Sequence, residues 1–166
     1  MTVIGKRPPA PDQRAVNDRM RMMLAVGDPV LARTHLALLH FTGRRSGRHY
    51  VVPAGVHEIG DRLVVATSAR WRHNFTGALS GAVTWRGAHT PATFELVESA
   101  AEVADGYLKL ITSLGPEGTE RKLGLIVPAD RPVTLADAAA AVTSHGLALI
   151  GITLKPAHHI RKGQPA

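Results

Sequence analysis

Apolar positions along this chain follow a helical period in some stretches and a strand-like run in others. From Arg14 to Val26 the apolar residues Val16, Met20, Met23 and Leu24 fall at i, i+4, i+7 and i+8. That spacing predicts an amphipathic helix, ended by Gly27-Asp28-Pro29. Three largely apolar runs follow, His35–Thr42, Tyr50–Glu58 and Arg62–Thr67, separated by short polar turns. Strands joined this closely predict an antiparallel meander. Thr67-Ser68 then predicts an N-cap for a short helix over Ala69–Leu79, with Trp71, Phe75, Ala78 and Leu79 on one face and Gly81 breaking it. Ala82–Arg86 and Thr90–Val97 read as a hairpin turning at Gly87-Ala88. Helix Glu98–Leu114, a loop at 115–118, a short helix Glu120–Leu125, a Thr134-capped helix Leu135–Ser144 and a strand Leu147–Leu154 complete the order. Sequential antiparallel strands with few βαβ units place the chain in the α+β class, as a small barrel with flanking helices.

Length and charge narrow the possibilities. At 166 residues the chain is expected to form one domain. Residues 13–155 carry the pattern, after a flexible N-terminus at 1–12 and before a polar tail at 156–166. The chain has no cysteine, which excludes disulfides, thiolate metal sites and cysteine nucleophiles. No apolar run reaches membrane-spanning length, and Met1–Pro11 is too polar and proline-rich for a signal peptide, so the expectation is a cytoplasmic protein. The net charge of +7 is unevenly placed. Residues 1–90 hold 13 Lys/Arg against 5 Asp/Glu, whereas residues 91–166 hold 7 against 8. The basic half should attract an anion: a phosphorylated small molecule, a nucleic acid or an acidic membrane.

The charge peaks in Thr42-Gly43-Arg44-Arg45-Ser46-Gly47-Arg48, between the first two predicted strands. Glycines there permit positive φ and leave amide N–H groups exposed, and successive exposed amides form an anion-binding concavity. Arginine adds bidentate hydrogen bonding to phosphate or carboxylate. The plainer reading of the same residues is a solvated basic hairpin turn.

What surrounds the turn makes the combination specific. An apolar strand runs into it, and Val51-Val52-Pro53 follows. Gly60-Asp61-Arg62-Leu63-Val64-Val65-Ala66 comes next, and then Trp71-Arg72-His73-Asn74. This combination resembles the deazaflavin (F420)-dependent nitroreductase family, part of the flavin/deazaflavin oxidoreductase superfamily, across roughly Arg14 to Val97. The resemblance implies a split β-barrel of the FMN-binding type and coenzyme F420, with its anionic phosphodiester and oligoglutamate tail. It assigns Arg44, Arg45, Ser46, Gly47 and Arg48 to the tail and the backbone around Val52, Pro53 and Ala54 to the ring. It places Thr67 and Ser68 near the phosphate or ring, and Trp71 and Asn74 on the opposite wall. The start of the following helix would add its positive dipole end. Tyr50 stands where the family often carries another basic residue. Relatives on this barrel bind FMN, FAD, heme or tetrapyrroles.

The chemistry implied is hydride transfer from the reduced deazaflavin to a quinone, nitroaromatic or activated alkene, with the protein supplying binding and orientation. Tyr50 and His73 are the candidate proton donors. Read as isolated residues, Tyr50 suits a strand core equally, Trp71 on helical spacing reads as core, Asn74 suits a loop contact and His73 a partly exposed helix position. The nine histidines have no metal-ligand spacing, and no metal is expected. Three alternatives stay open: a sequestering protein of the same fold that does not turn over, an FMN- or FAD-binding relative, and a nucleic-acid binder. The last is weakened by the absence of a basic-aromatic motif. A homodimer, and peripheral membrane contact if the acceptor is a lipid quinone, are compatible with the sequence.

Overall fold

A computed structural model describes residues 3–9, 11–30 and 33–155. The expected polar tail, with His158 and His159, lies outside the described residues. The elements run β1 (Gly5–Lys6), α1 (Gln13–Ala25), β2 (Leu36–Thr42), β3 (His49–Ile59), β4 (Arg62–Thr67), a 3-10 helix (Arg70–Phe75), β5 (Leu79–Trp85), β6 (Ala88–Leu96), α2 (Ala100–Leu123), β7 (Leu125–Ile126), α3 (Leu135–His145) and β8 (Ala148–Leu154). Six strands close into an antiparallel barrel in the order β2-β3-β4-β8-β6-β5, so the fold is α+β with helices packed outside.

Strand alternation divides the side chains between two cores. Ala37, Leu39 and Phe41 of β2 point into the barrel, where they meet Val56, Val65, Val83, Phe94 and Ile150. Large apolar side chains buried this fully contribute about 1.5–3 kcal/mol each. Val64 and Leu149 point outward into a second cluster with Tyr107, Leu110 and Ile111 of α2 and Ala141 of α3. α1 lies on the outside of β2 and β3. It buries Leu24, yet leaves Met23 of the predicted stripe 37% exposed, so that stripe is only partly covered.

The barrel is split on one side. The β3–β4 ladder runs only from Ile59↔Arg62 to Val56↔Val65. Beyond it, β3 continues along β2, while Ala66 and Thr67 stay paired to β8. The first half of β3 is therefore an edge. The amide of Val56 donates to the carbonyl of His35 on the β2 side, whereas the Val51 carbonyl accepts from Arg21 Nε of α1 at 2.9 Å. Odd positions on this stretch thus present their backbone to the split. Pro53 is one of them, and an edge position facing away from the ladder is where a residue without an N–H fits.

Four sequence expectations are corrected. The helix over Ala69–Leu79 is a six-residue 3-10 helix, and Leu79 and Gly81 belong to β5. Gly77 and Ala78 take positive φ (79° and 82°) and turn the chain out, after which Leu79–Ala82 pairs with Pro91–Phe94. Long-range pairing overrides the local pattern there, and the cap changes with it. The N-cap is Ala69, whose amide donates to Thr67 Oγ1 at 3.0 Å. The 115–118 loop is no loop: the helix breaks at Gly115 (φ 72°) and resumes at once on Pro116, a residue suited to a first helical turn. Leu125 lies in β7 rather than in a helix, paired with Lys6, and Ile4 beside that pair is buried.

Candidate functional site

The basic turn and the 3-10 helix converge at one rim of the barrel. The Arg44 amide donates to Asn74 Oδ1 at 2.8 Å, and Arg44 Nε donates to the Asn74 carbonyl at 3.3 Å. Arg44 Nη2 reaches the carbonyl of Ala78 at 3.4 Å. Asn74 Nδ2 in turn donates to the Trp71 carbonyl at 2.9 Å. Arg44 and Asn74 therefore clamp the turn to the helix, and much of the Arg44 guanidinium is committed to backbone carbonyls.

The turn does not offer the row of free amides expected of it. Gly43 N donates to the Arg48 carbonyl at 2.7 Å and Gly47 N to the Gly43 carbonyl at 3.0 Å. Arg48 N donates to Ser46 Oγ at 3.1 Å. With the Arg44 amide held by Asn74, four of the turn's donors are consumed within the protein. Gly47 is needed for its φ of 69°, and Gly43 for space. A Cβ on Gly43 would stand 2.6 Å from Tyr50 Cε2. What the turn presents outward is side-chain charge. Arg45 and Arg48 are exposed, and their guanidinium groups have no partner among the described residues.

Below the turn lies an aromatic cluster that runs from the surface at Tyr50 into the buried core. Phe41 stacks on Tyr50 with centroids 5.6 Å apart and meets Phe75 edge-on at 4.8 Å. Trp71 lies 6.0 Å from Phe75, and Phe94 lies 5.2 Å beyond it. All three phenylalanines of the chain are in this group. Tyr50 is at the surface end, 36% exposed, its hydroxyl 3.3 Å from Ser46 Oγ. Val52 and Ala54 face the barrel core, partly buried, with Pro53 on the split edge.

The other predicted site residues are less unified. Thr67 Oγ1 is used by the Ala69 amide. Ser68 Oγ accepts from Lys6 Nζ at 2.6 Å, and its carbonyl accepts from Arg72 Nη1 at 2.8 Å. His73 is exposed and has no side-chain partner among the described residues, so it is not brought to Tyr50. A six-residue 3-10 helix has little macrodipole, and Arg72 already caps the carbonyls at its start. The dipole contribution expected from this helix is thus small.

Sequence reasoning missed Lys6 and Arg21, which reach Ser68 and Val51 across 62 and 30 residues. For Arg21 the local signal is its i, i+3 spacing to Asp18, which it pairs at 2.9 Å. Spacing also missed the outer-face arrangement in which Thr84 Oγ1 lies 2.8 Å from His40 Nε2 and 3.1 Å from His89 Nδ1. Among the described residues no group of three or more His, Asp or Glu is arranged to hold a metal ion. A cavity of about 740 Å³ lies apart from the arginine rim, lined by Asp61, Arg62, Glu95, Glu98 and Glu102 among others. That acidic lining disfavours an anionic ligand. No described helix is long and apolar enough to cross a membrane.

Fold and rim together define a closed six-stranded antiparallel barrel with one split edge and an arginine-bearing mouth. The chain matches no protein-family model and no curated protein. Among solved structures it is similar to a chain described as a domain-swapped dimer, at 14% identity, covering 87% of this chain and all of the other with a TM-score of 0.46. It is also similar to the FAD and heme binding protein from Mycobacterium smegmatis, at 18% identity over 84% of this chain and 77% of that one, TM-score 0.40. A third is the flavocytochrome Anf3 from Azotobacter vinelandii, at 18% identity over 90% and 77%, TM-score 0.38.

Proposed function

We propose that this protein binds a flavin-type cofactor with an anionic tail, coenzyme F420 in the first instance, and uses it as an oxidoreductase. One observation carries the reading: the Arg44–Asn74 clamp sets the basic turn over the aromatic mouth and leaves Arg45 and Arg48 unpaired among the described residues. Two free guanidinium groups suit a phosphodiester and carboxylates. The mouth and the split edge beside Pro53 suit a flat ring, with backbone groups of β3 available for hydrogen bonding.

When bound, the reduced cofactor supplies a hydride for an electron-poor acceptor such as a quinone, a nitroaromatic or an activated alkene. Arg45 and Arg48 bind and orient the tail. Phe41 and Trp71 form apolar walls that exclude water from the ring. Tyr50 holds a proton on its hydroxyl at the mouth, hydrogen-bonded to Ser46, and is a better-placed donor than His73. Tyr50 or solvent would supply the proton that accompanies the hydride, so that a two-electron acceptor gains one hydride and one proton.

The test is a titration with F420, FMN and FAD followed by tryptophan fluorescence, in the native protein and in Arg45→Ala/Arg48→Ala. These two exposed arginines can be removed without touching the clamp. Saturable F420 binding, weakened at least about tenfold in the double variant with unchanged thermal stability, supports the reading. Binding of FMN or FAD alone moves the protein to the flavin branch. Binding without oxidation of the reduced cofactor by any acceptor class makes it a carrier. Binding of none of the three, or equal binding by the variant, overturns the site.

A further inference from the structure

We propose that the outward face of α1 is a self-association surface. Two copies of this chain pair there through antiparallel α1 helices, with Met22 of each copy over Val26 of the other. Such pairing requires nothing of the cofactor site.

α1 is apolar on two sides. Its inner side, with Val16, Met20 and Leu24, packs on β2 and β3. Leu24 is buried, and Arg21 Nε donates to the Val51 carbonyl at 2.9 Å, so the helix is fastened by that side and cannot roll to hide the other. Ala15, Arg19, Met22 and Val26 fall at i, i+4, i+7 and i+11 on the outer side, and all four are exposed. Val30 follows the turn that ends the helix. Met22, Val26 and Val30 are 70%, 83% and 73% exposed, the highest values for large apolar side chains among the described residues. Single exposed apolar residues are ordinary, but three in succession along one helix and its C-terminal turn form a patch.

The charges around the patch select its occupant. From Pro11 to Val30, Arg14, Arg19 and Arg21 stand against Asp12, Asp18 and Asp28, with no surplus. An anionic bilayer selects a face with basic excess, which this segment lacks. A balanced surface meets its own copy without net repulsion. The order of the charges is also self-complementary. A twofold axis level with Leu24 sets Met22 over Val26 of the second copy and brings Arg19 level with Asp28 of that copy, each contact occurring twice. Arg19 has no side-chain partner among the described residues. The Asp28 carboxylate accepts from the Val30 amide at 2.9 Å, which holds the acidic turn in place.

The size of the patch sets the strength. Three side chains exposed this far offer on the order of 300–400 Å² per copy, within the range in which patches carry partners. With the charged flanks, two copies bury about 1,200 Å², the low end for a specific interface. The expected dimer is therefore weak, with a dissociation constant of about 1–100 μM.

Sedimentation equilibrium of the full chain from about 1 to 500 μM reads the association. A monomer–dimer equilibrium in that range supports the surface. Met22→Glu/Val26→Glu must weaken it at least about tenfold with thermal unfolding of the monomer unchanged, and Arg19→Asp must weaken it by a smaller factor, about two- to fivefold. The chain has no cysteine, so disulfide trapping under a mild oxidant reads the register. Mixed Met22→Cys and Val26→Cys chains must cross-link faster than either alone, and this holds the test together if the glutamate variant folds poorly. Flotation with phosphatidylglycerol and phosphatidylcholine vesicles must leave the chain in solution. A monomer throughout the range, association unchanged in Met22→Glu/Val26→Glu or in Arg19→Asp, equal cross-linking in the mixed and single samples, or capture of the chain by vesicles overturns the proposal.

Discussion

At the Arg44 end of the barrel the polar groups around the mouth are largely satisfied from within: four turn amides, the Asn74 side chain and most of Arg44 have partners. At the His57 end two buried nitrogens, His57 Nε2 and Trp85 Nε1, have none among the described residues. The difference separates an end that presents charge outward from an end that buries polar groups inward. The satisfied end offers charge on mobile side chains over a rigid aromatic floor, and a ligand there adds to a finished structure. The unsatisfied end holds its two nitrogens sealed among packed side chains, where they weigh on stability rather than on ligand contact. Binding at the first should barely change stability beyond mass action, whereas the second should govern the protein's response to acid.

The largest expected effect tests whether the mouth is core. Phe75 is fully buried and touches Phe41, Trp71 and Phe94. Phe75→Ala should cost about 3–5 kcal/mol in urea unfolding, with cofactor binding lost alongside. A loss under about 1 kcal/mol would mean the floor is not rigid, and the contrast between the two ends would fail.

Next in size is the acid response of the opposite end. His57 titrates at about 4 in the folded chain against an ordinary 6.5. Between those values the unfolded chain binds the proton and the folded chain does not. Stability therefore falls as pH drops from about 6.5 to 4 and gains no further loss from this group below that. The fall should be on the order of 2–3 kcal/mol. Unfolding free energies at pH 4, 5, 6 and 7 measure it, and His57→Gln should flatten the curve in that window. An unchanged slope in the variant would assign the acid response elsewhere.

The smallest effect concerns a single satisfied bond. Asn74→Ala removes the acceptor of the Arg44 amide at a partly exposed position, so it should cost only about 1–2 kcal/mol. Because the turn then loses its register over the mouth, anion affinity at the rim should fall more than stability does. A large stability loss with intact affinity would reverse the roles given to Asn74 and the turn.

Local signals made much of this fold readable. The β2-β3-β4 meander, the β5–β6 hairpin and α3 with its Thr134 cap all involve residues close in sequence. Thr134 and Asp137 complete a reciprocal capping box, with Thr134 Oγ1 accepting from the Asp137 amide at 3.1 Å. The 3-10 helix was misread because helical spacing of Trp71, Phe75, Ala78 and Leu79 continues across a turn that only the pairing of Leu79 with Phe94 imposes. β1 and β7 escaped notice because two residues carry no periodicity. At the rim, the sequence pointed to the basic turn and to Trp71–Asn74, but the glycines suggested free amides that Arg48, Gly43, Ser46 and Asn74 in fact occupy.

By itself, then, the sequence determined the order of the six barrel strands and of the long helices, the α+β class, and the concentration of positive charge before residue 91. Those are properties of neighbours along the chain, where propensity, periodicity and charge count act directly. The tertiary structure alone decided that β8 closes the barrel between β4 and β6, that β3 and β4 part at Val56, and that Arg44 is a clamp while Arg45 and Arg48 stay free. It also decided that His35, His57, Trp85 and Lys122 share one cavity. Each of these rests on hydrogen bonds or packing between residues tens of positions apart, and such pairings leave no mark on the local pattern because their free energy exists only once the barrel has closed.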